Sequence, residues 1–126
     1  GSTYGGNPLV CAASLAVLRE IREQDLAAHA LEMECHIRDA IQSWNLPVIA
    51  EVRGMGLLLG LRLNPELIDA PEGKTPALVM VNRLMERGLL VPPAGPNTIR
   101  LLPPLNVTRE EINEALLILK EILSNP

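Results

Sequence analysis

The spacing of apolar positions shifts along the chain, and each shift marks an element. Over residues 8 to about 22 the run PLVCAASLAVLREIR is apolar on nearly every side until Arg19. A helix of that kind is buried on most sides or packs against a partner. Asn7 suits its N-cap and Pro8 its first helical position. Asp25 offers the next N-cap, after which Ala30, Met33, Ile37, Ala40 or Ile41, and Trp44 recur at helical spacing. Glu32, Glu34, Arg38 and Asp39 supply the opposite, solvated face, and Asn45 with Pro47 ends the helix.

In VIAEVRGMGLLLGLRL, residues 48–63, the period shortens to two. Leu59, Leu61 and Leu63 alternate with Gly60 and Arg62, so one face of a strand is buried, and Gly54-Met55-Gly56 reads as a hairpin or bulged turn before it. After the loop NPELIDAPEGKTP, Thr75-Pro76 starts a helix that runs to about Arg87, with Gly88 where a C′ glycine belongs. GLLVPPAGPNTIRLLPP reads as two short strands, residues 89–91 and 98–101, around a Pro/Gly turn. The last helix opens on a T-x-x-E capping box of Thr108 with Glu111, with Val107 stapled onto Ile112 and a stripe of Ile112, Leu116, Leu119 and Leu123. The order ααββαββα predicts an α+β layer, one mostly antiparallel sheet with helices on one face. The first helix is too apolar for that layer alone and predicts a neighbouring domain or chain.

At 126 residues and 48% hydrophobic content the chain fits one domain with a substantial core. Trp44 and Tyr4 are its only aromatic residues and the net charge is −4, which argues against both base stacking and phosphate-backbone binding. No nucleic-acid partner is expected. Cys11 and Cys35 fall in apolar helical stretches without metal-ligand spacing and read as small buried hydrophobes. No apolar run reaches membrane-spanning length and no basic leader precedes one, so a membrane partner is not expected and a cytoplasmic setting fits.

Few residues carry chemistry. His29 and His36 lie two helical turns apart, too far to share a metal, and read as solvent-edge residues. Lys74 and Lys120 lack the desolvated or cationic surroundings that activate a lysine. Arg53, before Gly-Met-Gly, reads as structural, orienting a turn or pairing with a carboxylate. Ser2 and Thr3 stand just before a helix start, where an anion would find hydroxyls and free N–H groups. The simpler reading of that stretch is a capped helix with a flexible tail. Arg100, in TIRLLPP, is held on a strand bounded by prolines and could clamp a carboxylate through two parallel hydrogen bonds. Its alternative is an arginine on a polar strand face, salt-bridged to a helix.

Three segments in this order, GSTYGGNPLVCAA, EVRGMGLLLGLRL and AGPNTIRLLPPLNVTREEINEAL, resemble the C-terminal part of class III pyridoxal-phosphate aminotransferases. The resemblance covers essentially the whole chain. It implies a small C-terminal domain of a fold type I transferase, with residues 1–24 as an interface segment and connecting helix and residues 25–126 as the domain itself. It further implies a homodimer that uses pyridoxal 5′-phosphate, an amino-acid donor and 2-oxoglutarate. In the family pattern the threonine at the Thr3 position, with Ser2 beside it, bonds the cofactor phosphate of the other subunit. The arginine at the Arg100 position binds the substrate α-carboxylate. The cofactor lysine, the aspartate that pairs with the pyridine nitrogen, the ring-stacking aromatic and the main phosphate loop have no counterpart in this chain. The rival reading is a non-catalytic α+β module that offers its apolar first helix to a partner.

Overall fold

A computed structural model describes all residues, 1–126. Four helices, α1 (Pro8–Glu23), α2 (Leu26–Ser43), α3 (Pro76–Glu86) and α4 (Arg109–Leu123), accompany three strands, β1 (Ile49–Met55), β2 (Leu58–Leu63) and β3 (Thr98–Leu101). The strands form one antiparallel sheet in the order β1-β2-β3. Alternation along β2 sends Leu59, Leu61 and Leu63 into the core and leaves Leu58 and Arg62 exposed. Ile99 and Leu101 continue the buried face on β3. Met33, Ile37 and Ile41 of α2, Met80 and Leu84 of α3, and Leu116 and Leu119 of α4 close over that face. The helices therefore cover one side of the sheet and the other side stays open, the α+β layer expected.

Local signals account for most element ends. Asn7 Oδ1 accepts from the Val10 N–H at 3.0 Å with Pro8 in the first turn. Thr75 caps α3 in the same way. At the other end of α3, Gly88 takes φ +87°, its N–H bonds Met85 O, and the Leu89 N–H returns to Leu84 O at 2.9 Å, a Schellman motif. The capping box at Thr108 and Glu111 forms in both directions, and Val107 and Ile112 are buried together in the core.

Four expectations need correction. Asp25 stands at the N-cap position of α2 but in the left-handed region, φ 48°, not the extended conformation a capping residue takes, and its side chain makes no cap bond. The hairpin turn is Gly56-Leu57, with Met55 paired to Leu58, and Gly54 lies inside β1. Gly56 takes the positive φ that a two-residue hairpin turn demands at its first position, while Leu57 is free to bury its side chain. Residues 89–91 form no strand. The chain meets β3 later, through a single bridge at Pro93, because Pro92 and Pro93 have no N–H to extend a ladder. Cys11 and Cys35 are exposed, since α1 buries no residue within this chain and Cys35 sits on the outer face of α2.

Helix α1 packs against α2 and otherwise stands clear. Leu9, at 80% exposure, and Leu18, at 62%, lie open, so the layer leaves the apolar side of this helix uncovered.

Candidate functional site

The open face of the sheet carries two arginines that no ion pair engages, Arg53 and Arg100. Register places Arg53 of β1 directly opposite Gly60 of β2, and Gly60 directly opposite Arg100 of β3. The three residues thus form one row across the sheet, with a side chain missing at its centre. A Cβ built on Gly60 would sit 3.6 Å from Arg53 Cγ and 3.7 Å from Arg53 Nε, so the Arg53 side chain lies across the middle strand. Its tip donates a long hydrogen bond, 3.4 Å, to Oγ1 of Thr98 on β3. Thr98 is itself buried at 6% exposure. Together with Gly54, Leu58 and Ala94, these residues line an open hollow of about 510 Å³.

Arg100 is held from both sides. Its strand pairs with β2, and its N–H donates to Pro92 O at 2.9 Å, so the proline-flanked segment braces the outer edge of β3. Ion pairs engage Arg38, Arg62, Arg87 and Arg109, whereas Arg53 and Arg100, like Arg19, Arg22 and Arg83, have no carboxylate partner within the chain. The salt-bridged alternative for Arg100 is therefore not what the fold provides. A second cavity, of about 130 Å³, lies between residues 89–92 and α4; apart from Arg100 its lining is apolar or proline, and it offers a ligand little to bond.

The backbone beneath Arg53 is clamped from α2. Arg38 donates to Val52 O at 2.7 Å and to Gly54 O at 2.8 Å, the carbonyls on either side of Arg53. Its Nε also donates to Glu34 Oε1 at 2.8 Å, and Glu34 Oε2 accepts the turn N–H of Gly56. The Arg38 hydrogen bond first, then the Gly56 N–H, holds the Glu34 carboxyl below the usual range against partial desolvation. Glu111 is lowered likewise by its bonds to the Thr108 N–H and hydroxyl.

Ser2 and Thr3 lie elsewhere, beyond the N-terminus of α1, and no hydrogen bond or ion pair links them to Arg100. Ser2 Oγ turns back to accept the Gly5 N–H at 2.8 Å, and Asn7 Nδ2 donates to Tyr4 O, so the segment is a folded turn. The Thr3 hydroxyl makes no bond within the chain and is exposed. An exposed, unsatisfied hydroxyl on a turn ahead of a helix suits a phosphate oxygen. It fits one end of a phosphorylated cofactor and nothing more of it. Lys74 is exposed in a loop, and Lys120 is exposed on α4, on the helical side of the layer.

His29 and His36 serve the helix packing. His29 Nε2 donates to Val107 O at 2.8 Å, and His36 bridges Asn113 and Arg109. No group of three His, Cys, Asp or Glu residues is placed to hold a metal. Sequence reasoning missed the presence of Arg53 in the hollow, the open space at Gly60 and the Arg38 clamp. The signal for the first two was the hairpin register, which follows once the turn is set at Gly56-Leu57.

Comparison with known proteins places these features in a family. The Aminotransferase class-III family profile matches residues 1–123. Acetylornithine aminotransferase 1 of Bordetella bronchiseptica is 40% identical over 125 residues, 98% of this chain and 29% of that protein. Ornithine aminotransferase of Bacillus subtilis is 38% identical over 99% of this chain and 29% of its own length. Among solved structures, acetylornithine aminotransferase from Elizabethkingia anophelis superposes with a TM-score of 0.85 at 34% identity, covering 98% of this chain and 31% of that one. Ornithine aminotransferase from Toxoplasma gondii, described with partial occupancy of PLP at its active site, gives 0.85 at 31% identity, covering 98% and 28%. The chain thus spans less than a third of the length of these relatives.

Proposed function

The chain belongs to the class III aminotransferases, and from that premise we propose that the complete protein transfers the δ-amino group of N2-acetylornithine to 2-oxoglutarate as a pyridoxal-phosphate-dependent homodimer, a step of arginine biosynthesis. One observation carries the substrate side of this reading: Arg100 is an unpaired guanidinium on a braced strand, at the open face of the sheet. A guanidinium so held presents two parallel N–H donors, the geometry that a carboxylate accepts. Arg100 binds the donor's α-carboxylate and thereby fixes the position of the amino group at the far end of the molecule.

Pyridoxal 5′-phosphate, when bound, supplies the electron sink for the amino-group chemistry. Toward that group this chain contributes the Thr3 hydroxyl, with Ser2 beside it, reaching a phosphate oxygen of the cofactor held by the partner subunit. The exposed leucines of α1 are covered by the second copy, which brings Thr3 there. Residues 1–24 are the interface segment and connecting helix, and residues 25–126 are the small domain. No lysine lines the hollow at Arg100, and the 126-residue chain alone does not transaminate.

Relatives named for ornithine match about as well as those named for acetylornithine, and this favours ornithine as the second reading of the donor. Both donors present an α-carboxylate and a δ-amino group. Assay of the complete protein with each donor and 2-oxoglutarate decides between them. A higher kcat/KM for N2-acetylornithine supports the first reading and a higher value for ornithine the second. No amino transfer from either donor overturns both.

A further inference from the structure

We propose that Arg53 is a second carboxylate-binding residue, so that the hollow on the open face is a two-arginine site rather than a single clamp. The proposal rests on the reading of Arg100 given above and extends it to a residue on a different strand. Arg53 and Arg100 stand on the two outer strands, each directly opposite Gly60. With strands about 4.8 Å apart, their backbones are separated by roughly 10 Å, a span that two arginine side chains can close from both ends. The Arg53 side chain already covers part of it, lying over Gly60 with its tip at Thr98 on the far strand.

Three features indicate a ligand rather than a surface arginine at rest. Arg53 has no carboxylate partner, and of the arginines without one only Arg53 and Arg100 line the hollow. Two like charges share one hollow without a counter-charge, an arrangement that an anion between them relieves. The backbone under Arg53 is also fixed more firmly than a solvent-facing residue needs, since Arg38 holds the carbonyls before and after it. Gly60 completes the site by subtraction: a Cβ there would come within 3.3 Å of the Thr98 methyl and fill the floor over which Arg53 reaches. Thr98 is the positioning residue, its hydroxyl accepting from the guanidinium tip.

The test uses the complete protein and two amino donors, N2-acetylornithine and N-acetylputrescine, which is the same molecule without its carboxylate. Single-turnover kcat/KM is measured for each, so that the keto-acid acceptor does not enter. The ratio between the donors reports carboxylate recognition alone. Arg53→Gln should lower that preference about tenfold, as the loss of one charge-assisted contact requires. Thr98→Val, close in size and lacking the acceptor, should lower it about threefold. Pentanoate, a carboxylate without an amine, should lose competitive affinity in the same order. A preference that stays at the wild-type value in Arg53→Gln, whether or not overall activity falls, overturns the proposal. If Arg53→Gln does not fold, an unchanged preference in Thr98→Val overturns it. Arg100→Gln separates this failure from that of the underlying reading. Lost preference in Arg100→Gln with none lost at Arg53 removes only the second arginine, whereas retained preference in Arg100→Gln removes the carboxylate site itself.

Discussion

Arg38 of α2 donates to the carbonyl oxygen of Gly54 in β1 at 2.8 Å, so the helix grips the strand at the residue whose φ of +119° departs most from extended geometry. A second bond, to Val52 O at 2.7 Å, spans the intervening residue. Arg38→Ala leaves both carbonyls without these donors and should lower the unfolding free energy by about 2 kcal/mol. Urea denaturation of the chain measures it, and a change under about 0.5 kcal/mol would show that the clamp adds nothing to the fold.

Glu34 links the clamp to pH. Its carboxyl is held below the ordinary range by Arg38 and the Gly56 N–H, so the unfolded state takes up a proton before the folded state does. The stabilisation is fully present above the unfolded pKa of about 4.3 and is lost as pH falls through that value toward the lower folded one. The stability difference between wild type and Glu34→Gln should therefore be largest near neutrality and shrink below about pH 4. A difference that stays constant over the whole range would contradict the assignment of the carboxylate as the bonded species.

Gly54 and Gly88 both have positive φ but different surroundings. A Cβ on Gly54 would lie 2.1 Å from Leu58 O, across the hairpin, whereas one on Gly88 meets nothing within 4 Å. Gly54→Ala should cost about 3 kcal/mol or more, from strain and the clash together. Gly88→Ala should cost only about 1 kcal/mol, from the left-handed backbone alone. Thermal denaturation of the pair measures the gap, and equal losses would mean that the hairpin shifts to make room.

Thr108→Ala removes the acceptor for the Glu111 N–H and should cost about 1 kcal/mol. The loss should appear in urea denaturation at neutral pH. A variant as stable as wild type would place the start of α4 under tertiary control, through Val107 and Ile112, rather than under its cap.

Elements with a long period and explicit caps were legible from the chain itself. Helix α4, with its capping box and four-residue stripe, and α3, between Thr75 and Gly88, formed as read. Shorter signals misled where two local rules competed. Two glycines one residue apart, Gly54 and Gly56, concealed that Gly54 serves inside the strand and only Gly56 begins the turn. Setting the turn too early hides the register, and with it the alignment of Arg53, Gly60 and Arg100. Residues 89–91 carry β-type side chains, but the prolines that follow leave too few N–H groups for a ladder. Cys11 was misread for a different reason: an apolar helix does not reveal which of its faces is covered within its own chain. For Arg100 the proline-bounded strand left two readings open, a carboxylate clamp and a salt bridge to a helix, and only the folded chain shows that no salt bridge forms. The placement of Arg53 in line with Arg100 was not legible, because it depends on the register across two strand pairs.

Arg100→Lys in the complete protein tests the carboxylate assignment most directly. Lysine keeps the charge but cannot present two parallel donors. With N2-acetylornithine as donor, kcat/KM should fall about 100-fold or more, while the affinity for pyridoxal phosphate, read from its absorbance, should change by less than about threefold. A kcat/KM within about twofold of wild type would remove Arg100 from the site and, with it, the function proposed for this face of the sheet.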